Sequence, residues 1–243
     1  MVTTDGHLLG GRVLYRQPAS GFRSGLEPVL LAASVPARPG DNVLEAGTGA
    51  GAALLCLGSR IPGVKGTGVE IDTATADLAA INVRNNGLTG IEIVADRIET
   101  AKLSCQFDHA MANPPYHPHG SSASPVAERD TAKRGSDALM QAWIVGLCRQ
   151  LRHRGTLTLI IPAGMINTSV AAMDGCRCPC TVLFPLWPKI GRAAKLVLLR
   201  GVKNARSPMR IMPGLVLHQP DGGFTDAARA ILSGGAALPL EGV

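Results

Sequence analysis

The chain has 243 residues, of which 46% are hydrophobic and 17% charged, a globular composition that excludes wholesale disorder. Lys and Arg number 24 against 18 Asp and Glu, and the net charge of +6 favours a polyanionic partner without excluding an enzyme that never touches nucleic acid. No apolar run of about 18 residues and no signal-peptide region are visible, and the six cysteines are expected to be reduced, so a cytoplasmic protein is predicted.

From residue 42 onward, short apolar runs alternate with longer helical patterns. Strands are predicted at 42–46, 65–71, 91–95, 107–112, 155–162, 181–187 and 195–202. Helices are predicted at 51–61, 72–87 and 136–152, and the small, polar residues 117–135 are predicted to form a long loop. Strands that alternate with helices predict an α/β fold with a mostly parallel sheet and helices on both faces.

A glycine-rich turn follows the first of these strands. Gly47, Gly49 and Gly51 stand between that strand and the next helix, where glycines allow a ligand to approach the backbone closely. Glu70 ends the next strand, at a suitable distance along the chain to accept hydrogen bonds from ribose hydroxyls. The turn therefore predicts a nucleoside-containing cofactor.

Two cofactors compete for this turn. Gly47, Gly49 and Ala52 satisfy the spacing of a dinucleotide site. A site for S-adenosylmethionine instead uses an acid just before the first glycine, one after the second strand and one after the third. The chain supplies all three, as Glu45, Glu70 and Asp96. Each acid could merely cap a helix, but the ordered set of three favours S-adenosylmethionine.

Residues 113–116 read Asn-Pro-Pro-Tyr and directly follow the strand predicted at 107–112. Together with the glycine turn and the three acids, this motif resembles the amino-group methyltransferases of the S-adenosylmethionine-dependent, Rossmann-like class. The resemblance implies a Rossmann-like, seven-stranded methyltransferase fold and a nitrogen methyl acceptor. It also implies cofactor contacts from further residues, namely Phe22, Ile71, Arg97 and Asn113.

The Asn-Pro-Pro-Tyr motif suits nitrogen chemistry for a physical reason. The lone pair of an aromatic amine is conjugated into the ring, and two hydrogen-bond acceptors on the amino group would localise it. The Asn113 side-chain carbonyl and the backbone carbonyl of Pro114 are the natural pair, and Pro115 helps to fix the turn that aims them. Tyr116 offers a flat face for a flipped-out base. In isolation, the same residues would be read as an ordinary turn.

Two further segments, one near each end of the chain, indicate which branch of this class the chain resembles. The segments 10–35 and 184–232 resemble bacterial methyltransferases that modify adenine N6 in transfer RNA. The resemblance implies an N-terminal extension at 1–40 that packs beside the cofactor site, with Phe22 in its turn, and a methyltransferase domain at 41–243. The chain departs from the family pattern at His117-Pro118-His119 and at Glu27.

Basic residues recur without an acid between positions 189 and 210. With two cations from the predicted loop, they could form a phosphate-binding face beside the site, although a solvated basic surface is the plain alternative. The residues predicted to contact RNA, most plausibly transfer RNA, are Lys189, Arg192, Lys195, Lys203, Arg206, Lys133 and Arg134. The spacing of Cys176, Cys178 and Cys180 is not that of a usual zinc site, and no metal is predicted.

Other functions remain open at this point. A guanine amino group or a protein glutamine amide would use the same acceptor motif, although only about 40 residues precede the first predicted strand, where the glutamine branch commonly carries a helical domain. A nicotinamide-dependent oxidoreductase is compatible with the glycine spacing, but it gives the Asn-Pro-Pro-Tyr motif no role. A non-catalytic RNA-binding module would leave the same motif unexplained.

Overall fold

The computed structural model describes residues 1–19, 25–115 and 126–240, and for 126–134 it describes the backbone alone. The strands are β1 Thr3–Leu8, β2 Val13–Pro18, β3 Asn42–Ala46, β4 Lys65–Glu70, β5 Ile91–Ala95, β6 Phe107–Ala112, β7 Leu151–Pro162, β8 Cys180–Trp187, β9 Leu196–Val202, β10 Arg210–Ile211 and β11 Leu215–Val216. The helices are α1 Glu27–Ser34, α2 Ala52–Arg60, α3 Thr73–Asn85, α4 Val126–Gln150, α5 Ile166–Gly175 and α6 Asp226–Leu232.

Within the described residues, nine strands form the central sheet, in the order β10-β8-β9-β7-β6-β3-β4-β5, with β11 also paired to β8. All neighbours are parallel except the two pairs that include β9. The seven predicted strands are β3 to β9, and β10 and β11 add two residues each at one edge. The predicted mostly parallel α/β fold is confirmed.

Two buried clusters cover the two faces of the sheet. Successive side chains of a strand point to opposite faces, so Val43 belongs to one cluster and Leu44 to the other. The first cluster includes side chains of α1, α2, α3 and α6, and the second includes side chains of α4 and α5. The parallel strands are therefore shielded from water on both sides, as their nearly continuous apolar sequences require.

The strand order reverses at β3, which has β6 on one side and β4 on the other. The connections on either side of such a point leave in opposite directions and open a crevice at the carboxyl ends of the strands, where open α/β sheets bind ligands. The glycine turn follows β3 and Asn113 follows β6, so the fold brings both predicted motifs to this crevice.

The N-terminal residues form a hairpin outside the central sheet. β1 and β2 pair with each other, and β2 contacts α2 and α3. Val13 and Tyr15 are buried in the same cluster as Leu54 of α2. The hairpin thus packs on the helices that flank the glycine turn, and the boundary at residue 40 stays a prediction.

The prediction of a loop over 117–135 is wrong from Val126 onward, because α4 begins there. The small and charged residues of that stretch include Ala, Glu, Arg and Lys, which are good helix formers, and they continue into the apolar pattern that was predicted from residue 136. The hairpin, α5 and α6 were not predicted. No helix in the described ranges is long and apolar enough to cross a membrane.

Candidate active site

A cavity of about 680 Å³ lies at the carboxyl ends of β3, β4 and β6, a volume within the usual range for small-molecule sites. The residues of the predicted site that line it are Glu45, Gly47, Gly49, Glu70, Ile71, Asp96, Arg97, Asn113, Pro114 and Pro115. Phe22 and Tyr116 lie outside the described residues. The fold therefore assembles, around one cavity, side chains that are spread over 71 positions of the sequence.

The glycine turn forms one wall of the cavity. Gly47 (φ +62°) and Gly49 (φ +55°) have left-handed backbone, which glycine adopts without strain. A Cβ on Gly47 would overlap the Trp143 ring and lie 2.9 Å from its Cζ3, whereas the Cβ position of Gly49 has no heavy atom within 4 Å. Gly47 thus packs against the protein, and Gly49 borders open space. Gly51 does not line the cavity and packs beside Ala79, at the start of α2.

Glu45, near the end of β3, carries a buried carboxyl group in the cavity wall and is 4% exposed. Its Oε2 accepts a hydrogen bond of 2.7 Å from the Thr48 hydroxyl. Burial raises the pKa of Glu45 to about 8, the Glu70 carboxylate adds to the rise, and hydrogen bonds from Thr48 and the Leu54 backbone offset part of it. Glu45 is therefore mainly neutral at pH 7, and a cation in the cavity would favour its charged form.

Glu70 is the last residue of β4, and Asp96 directly follows β5. Glu70 accepts hydrogen bonds from the Gly49 N–H at 2.9 Å and the Asp72 N–H at 3.1 Å. Asp96 accepts one from the Arg97 N–H at 2.7 Å, and its own N–H donates to the Glu70 carbonyl. A carboxylate can accept about four hydrogen bonds, so each retains capacity toward the cavity. The side chain that caps α3 is Asp72, not Glu70.

Asn113 follows β6 directly and contributes an amide to the cavity. Its Oδ1 is buried and has no hydrogen-bond partner among the described residues. Leaving such an oxygen without a donor costs on the order of 1–3 kcal/mol. Pro114 is buried beside it and Pro115 is exposed, and both line the cavity. The site thus presents an acceptor where a ligand could supply the donor.

The family comparison decides the class of the site. Residues 28–165, more than half of the chain, match the methyltransferase small domain. The chain belongs to the methyltransferase small-domain family. Membership of this family agrees with the predicted S-adenosylmethionine-dependent methyltransferase and gives no support to the nicotinamide-dependent alternative.

Individual relatives of this methyltransferase give further comparisons. The tRNA1(Val) (adenine(37)-N6)-methyltransferase of Bacteroides thetaiotaomicron is 31% identical over 148 residues, which cover 60% of this chain and 62% of the relative. The release factor glutamine methyltransferase of Gloeobacter violaceus is 28% identical over 141 residues, which cover 54% of this chain and 49% of the relative. The matched region thus spans less than two thirds of either relative.

The fold of this methyltransferase also has close counterparts among solved structures. The structure described as a predicted O-methyltransferase from Agrobacterium tumefaciens superimposes with a TM-score of 0.74. It is 21% identical, and the alignment covers 89% of this chain and all of the other. At this identity the similarity concerns the fold, and it confirms the Rossmann-like methyltransferase architecture.

The residues present fit S-adenosylmethionine, the cofactor predicted from the sequence. The molecule carries an ammonium and a sulfonium group, and the lining supplies carboxyl groups at Glu45, Glu70 and Asp96. The open space beside Gly49 lets a ligand approach the backbone. Ile71 is 57% exposed at the cavity, an apolar surface suited to the face of an adenine ring.

Several residues of the lining were not predicted. Thr48 lies inside the glycine turn, and its hydroxyl bonds to Glu45. Glu99 lines the cavity and forms an ion pair of 3.4 Å with Arg97. Tyr15 and Trp143 come from the hairpin and from α4. Thr48 and Glu99 lie next to recognised motifs and could have been found, whereas Tyr15 and Trp143 depend on tertiary packing that no local pattern reveals.

The predicted basic face is divided between two edges of the sheet. Lys195 precedes β9, and its carbonyl accepts from the N–H of Ala163, at the carboxyl end of β7. Lys203 follows β9 and bonds to Gly155, near the opposite end. Seven residues of extended chain lie between Lys195 and Lys203, and the eight steps span roughly 25 Å. Lys203 and Arg206 thus follow the end of β9 that is remote from the cavity, and their contact with RNA stays a prediction.

The remaining cations lie in three different parts of the fold. Lys189 and Arg192 lie in the connection before β9, on the edge that holds the cavity, and Arg192 is exposed. Arg200 is only 3% exposed and bonds to the Ser34 carbonyl inside the protein, so it is not a surface residue. Lys133 and Arg134 belong to α4, and their side chains lie outside the described residues.

The cysteine cluster offers no metal site. Cys178 and Cys180 are buried and Cys176 is half-buried, all as free thiols. In the described ranges, no three His, Cys, Asp or Glu side chains form a group that could hold a metal ion.

Proposed function

We propose that this methyltransferase transfers a methyl group from S-adenosylmethionine to the exocyclic N6 of adenine in RNA, most plausibly transfer RNA. The observation that carries the proposal is the buried Oδ1 of Asn113, which lines the cavity without a hydrogen-bond partner among the described residues. An amino group is the ligand that satisfies this oxygen. The backbone carbonyl of Pro114 is adjacent in sequence and provides a second acceptor.

These acceptors change the reactivity of an amine. Two hydrogen bonds from the NH2 group draw the nitrogen toward tetrahedral geometry and localise its lone pair. The fixed φ of Pro114 and Pro115 keeps the acceptors in place before the substrate arrives, so no reorganisation is needed at the moment of reaction. The turn therefore stabilises positive charge as it develops on the attacking nitrogen.

When bound, S-adenosylmethionine supplies an electrophilic methyl group whose bond to sulfur breaks as the bond to nitrogen forms. Asn113 and Pro114 would hold the nitrogen, and the carboxyl groups of Glu45, Glu70 and Asp96 would hold the cofactor from the glycine side of the cavity. The methylated nitrogen is cationic and loses a proton easily, so no dedicated base is required. Tyr116 is proposed to stack on the flipped-out base.

The proposal that RNA is the substrate rests on the positive charge of the chain and on the substrate named for a relative. The chain carries a net charge of +6, and Lys195 and Arg192 are exposed at the edge of the sheet that holds the cavity. β9 lies two strand positions from β6, roughly 10 Å across the sheet. Phosphates that flank a base in the cavity could reach cations at this distance. The relative from Bacteroides thetaiotaomicron is named for adenine N6 in transfer RNA.

A glutamine amide is the second candidate, because an amide nitrogen needs the same pair of acceptors. The relative from Gloeobacter violaceus is named for that acceptor. The two candidates differ in the charge of the substrate. A peptide has no phosphate backbone, so the basic edge would have no function in its recognition.

Mass spectrometry of nucleosides tests the proposal. The protein is incubated with labelled S-adenosylmethionine and with bulk transfer RNA in one reaction, and with a release-factor protein in another. Labelled N6-methyladenosine supports the proposal. Labelled methylguanosine would refute the choice of base, and label in the protein with none in RNA would refute the substrate class.

The variant Asn113→Ala tests the function of the amide. Turnover should fall at least a hundredfold, while the affinity for S-adenosylhomocysteine, measured by calorimetry, should stay within threefold of wild type. Asp96→Ala serves as the matched control, because it should weaken cofactor binding and leave the acceptor side intact. An Asn113→Ala protein with wild-type turnover would refute the proposed pair of acceptors.

A further inference from the structure

Asn82 lies on α3, outside the cavity lining, and is 1% exposed. Its side-chain amide makes three hydrogen bonds. Oδ1 accepts from the N–H of Arg16 at 3.1 Å, and Nδ2 donates to the Arg16 carbonyl at 2.7 Å and to the Ala50 carbonyl at 2.8 Å. A single buried amide therefore joins α3, the N-terminal hairpin and the glycine turn.

The contact with the hairpin resembles the pairing of two strands. β2 pairs with β1 along one edge, and its other edge faces α3. There Asn86, one turn beyond Asn82, accepts from the Leu14 N–H at 2.9 Å and donates to the Leu14 carbonyl at 2.7 Å. Four residues of helix rise about 6 Å, and two residues of strand span about 6.7 Å. The spacing between the two amides along the helix axis therefore matches the spacing between Leu14 and Arg16 along β2.

The two amides differ in their third partner. Asn86, which caps the carboxyl end of α3, donates its remaining side-chain N–H to the Asn82 carbonyl one turn earlier. Asn82 donates to Ala50, which lines the cavity, and it also holds Arg16, the neighbour of Tyr15, which lines the cavity from the hairpin side. Asn82 is therefore the one of these two amides that connects the two opposing walls.

We propose that Asn82 is a positioning residue that couples the glycine turn to the hairpin, so that cofactor binding at the turn fixes Tyr15 against the cavity. The inference rests on the cavity as the S-adenosylmethionine site but is independent of the methyl acceptor. A displacement of Ala50 moves the Asn82 side-chain amide, and this amide moves β2 through its two hydrogen bonds to Arg16. Asn86 holds the same strand without this connection.

Calorimetric titration with S-adenosylhomocysteine tests the coupling without any RNA. Asn82→Leu removes all three hydrogen bonds while keeping the branched shape and the number of side-chain heavy atoms, and it should weaken binding at least tenfold. Asn86→Leu removes the same kind of pairing to β2 and should weaken binding less than threefold. Equal losses in the two variants, or wild-type affinity in Asn82→Leu, would overturn the proposal. A wild-type protein that binds no cofactor would instead refute the site itself.

Hydrogen exchange provides a measurement that a merely structural role would not alter. In wild type, the cofactor should slow exchange of the residue 13–17 amides at least fivefold. The same protection should persist in Asn86→Leu and disappear in Asn82→Leu at saturating cofactor. Unchanged exchange in wild type on cofactor binding would overturn the proposal even if Asn82→Leu proved too unstable to purify.

Discussion

Replacing Glu45 by Gln should make the protein more stable in a manner that depends on pH. The folded protein raises the pKa of this carboxyl group from 4.5 to about 8, chiefly by burial. Between those two values the folded state holds a proton that the unfolded state has lost, so stability falls as pH rises. Gln has a similar shape and is neutral at every pH, so the variant lacks this loss.

The magnitude follows from the difference in pKa. Each unit is worth about 1.4 kcal/mol, so wild type should lose roughly 3 kcal/mol of unfolding free energy between pH 5 and pH 8 through Glu45 alone. For a chain of this size, that difference corresponds to roughly 6–12 °C in melting temperature. Other titrating groups, such as His109 and Asp108, are common to both proteins and cancel in the comparison.

Thermal unfolding of both proteins without cofactor, from pH 5 to pH 8, measures the effect. The difference in melting temperature between Glu45→Gln and wild type should be small at pH 5 and should grow steadily to pH 8. A difference that stays constant across this range would show that Glu45 titrates alike in the folded and unfolded chains. The reasoning from burial would then be refuted.

Three other predictions follow from the site. Binding of cationic S-adenosylmethionine at pH 7 should release close to one proton from wild type and none from Glu45→Gln, as calorimetry in buffers of different ionisation enthalpy can determine. Gly47→Ala should lower the free energy of unfolding by roughly 2–4 kcal/mol and shift the Trp143 fluorescence, because the new Cβ both strains the left-handed backbone and overlaps the ring. Gly49→Ala should cost only about 1–2 kcal/mol and leave the fluorescence unchanged, because only the backbone strain applies. Equal effects of the two variants would contradict this packing. Changing Arg192 and Lys195 to Gln should reduce the slope of log RNA affinity against log salt by about 1.5, and the matched change at Lys203 and Arg206 should reduce it by less than 0.5. The opposite order would place RNA on the other edge of the sheet.

The central sheet could be predicted because its strands are buried on both faces. Their apolar sequences, such as 42–46 and 155–162, mark them without reference to the rest of the chain. The glycine turn and its acids were predictable for a similar reason, since each stands directly at the end of a strand. In a parallel sheet those ends meet at one edge, so local sequence positions translate into spatial proximity.

The features that sequence reasoning missed depend on packing between distant segments. Val13 and Tyr15 of the hairpin are buried because β2 packs on α2 and α3, which lie far along the chain. The basic residues were grouped by proximity in sequence, but β9 runs the full depth of the sheet and separates Lys195 from Lys203. A run of like charges that includes a strand is therefore a poor guide to a continuous surface.

The amides of Asn82 and Asn86 have a consequence for how the protein behaves in a crowded solution. A strand with a bare edge is a template on which another chain can add by main-chain hydrogen bonding, and such edges promote aggregation. β2 would present this kind of edge if α3 did not cover it. Because side-chain amides occupy the N–H and carbonyl groups of Leu14 and Arg16, the hairpin can remain outside the central sheet without recruiting a second molecule.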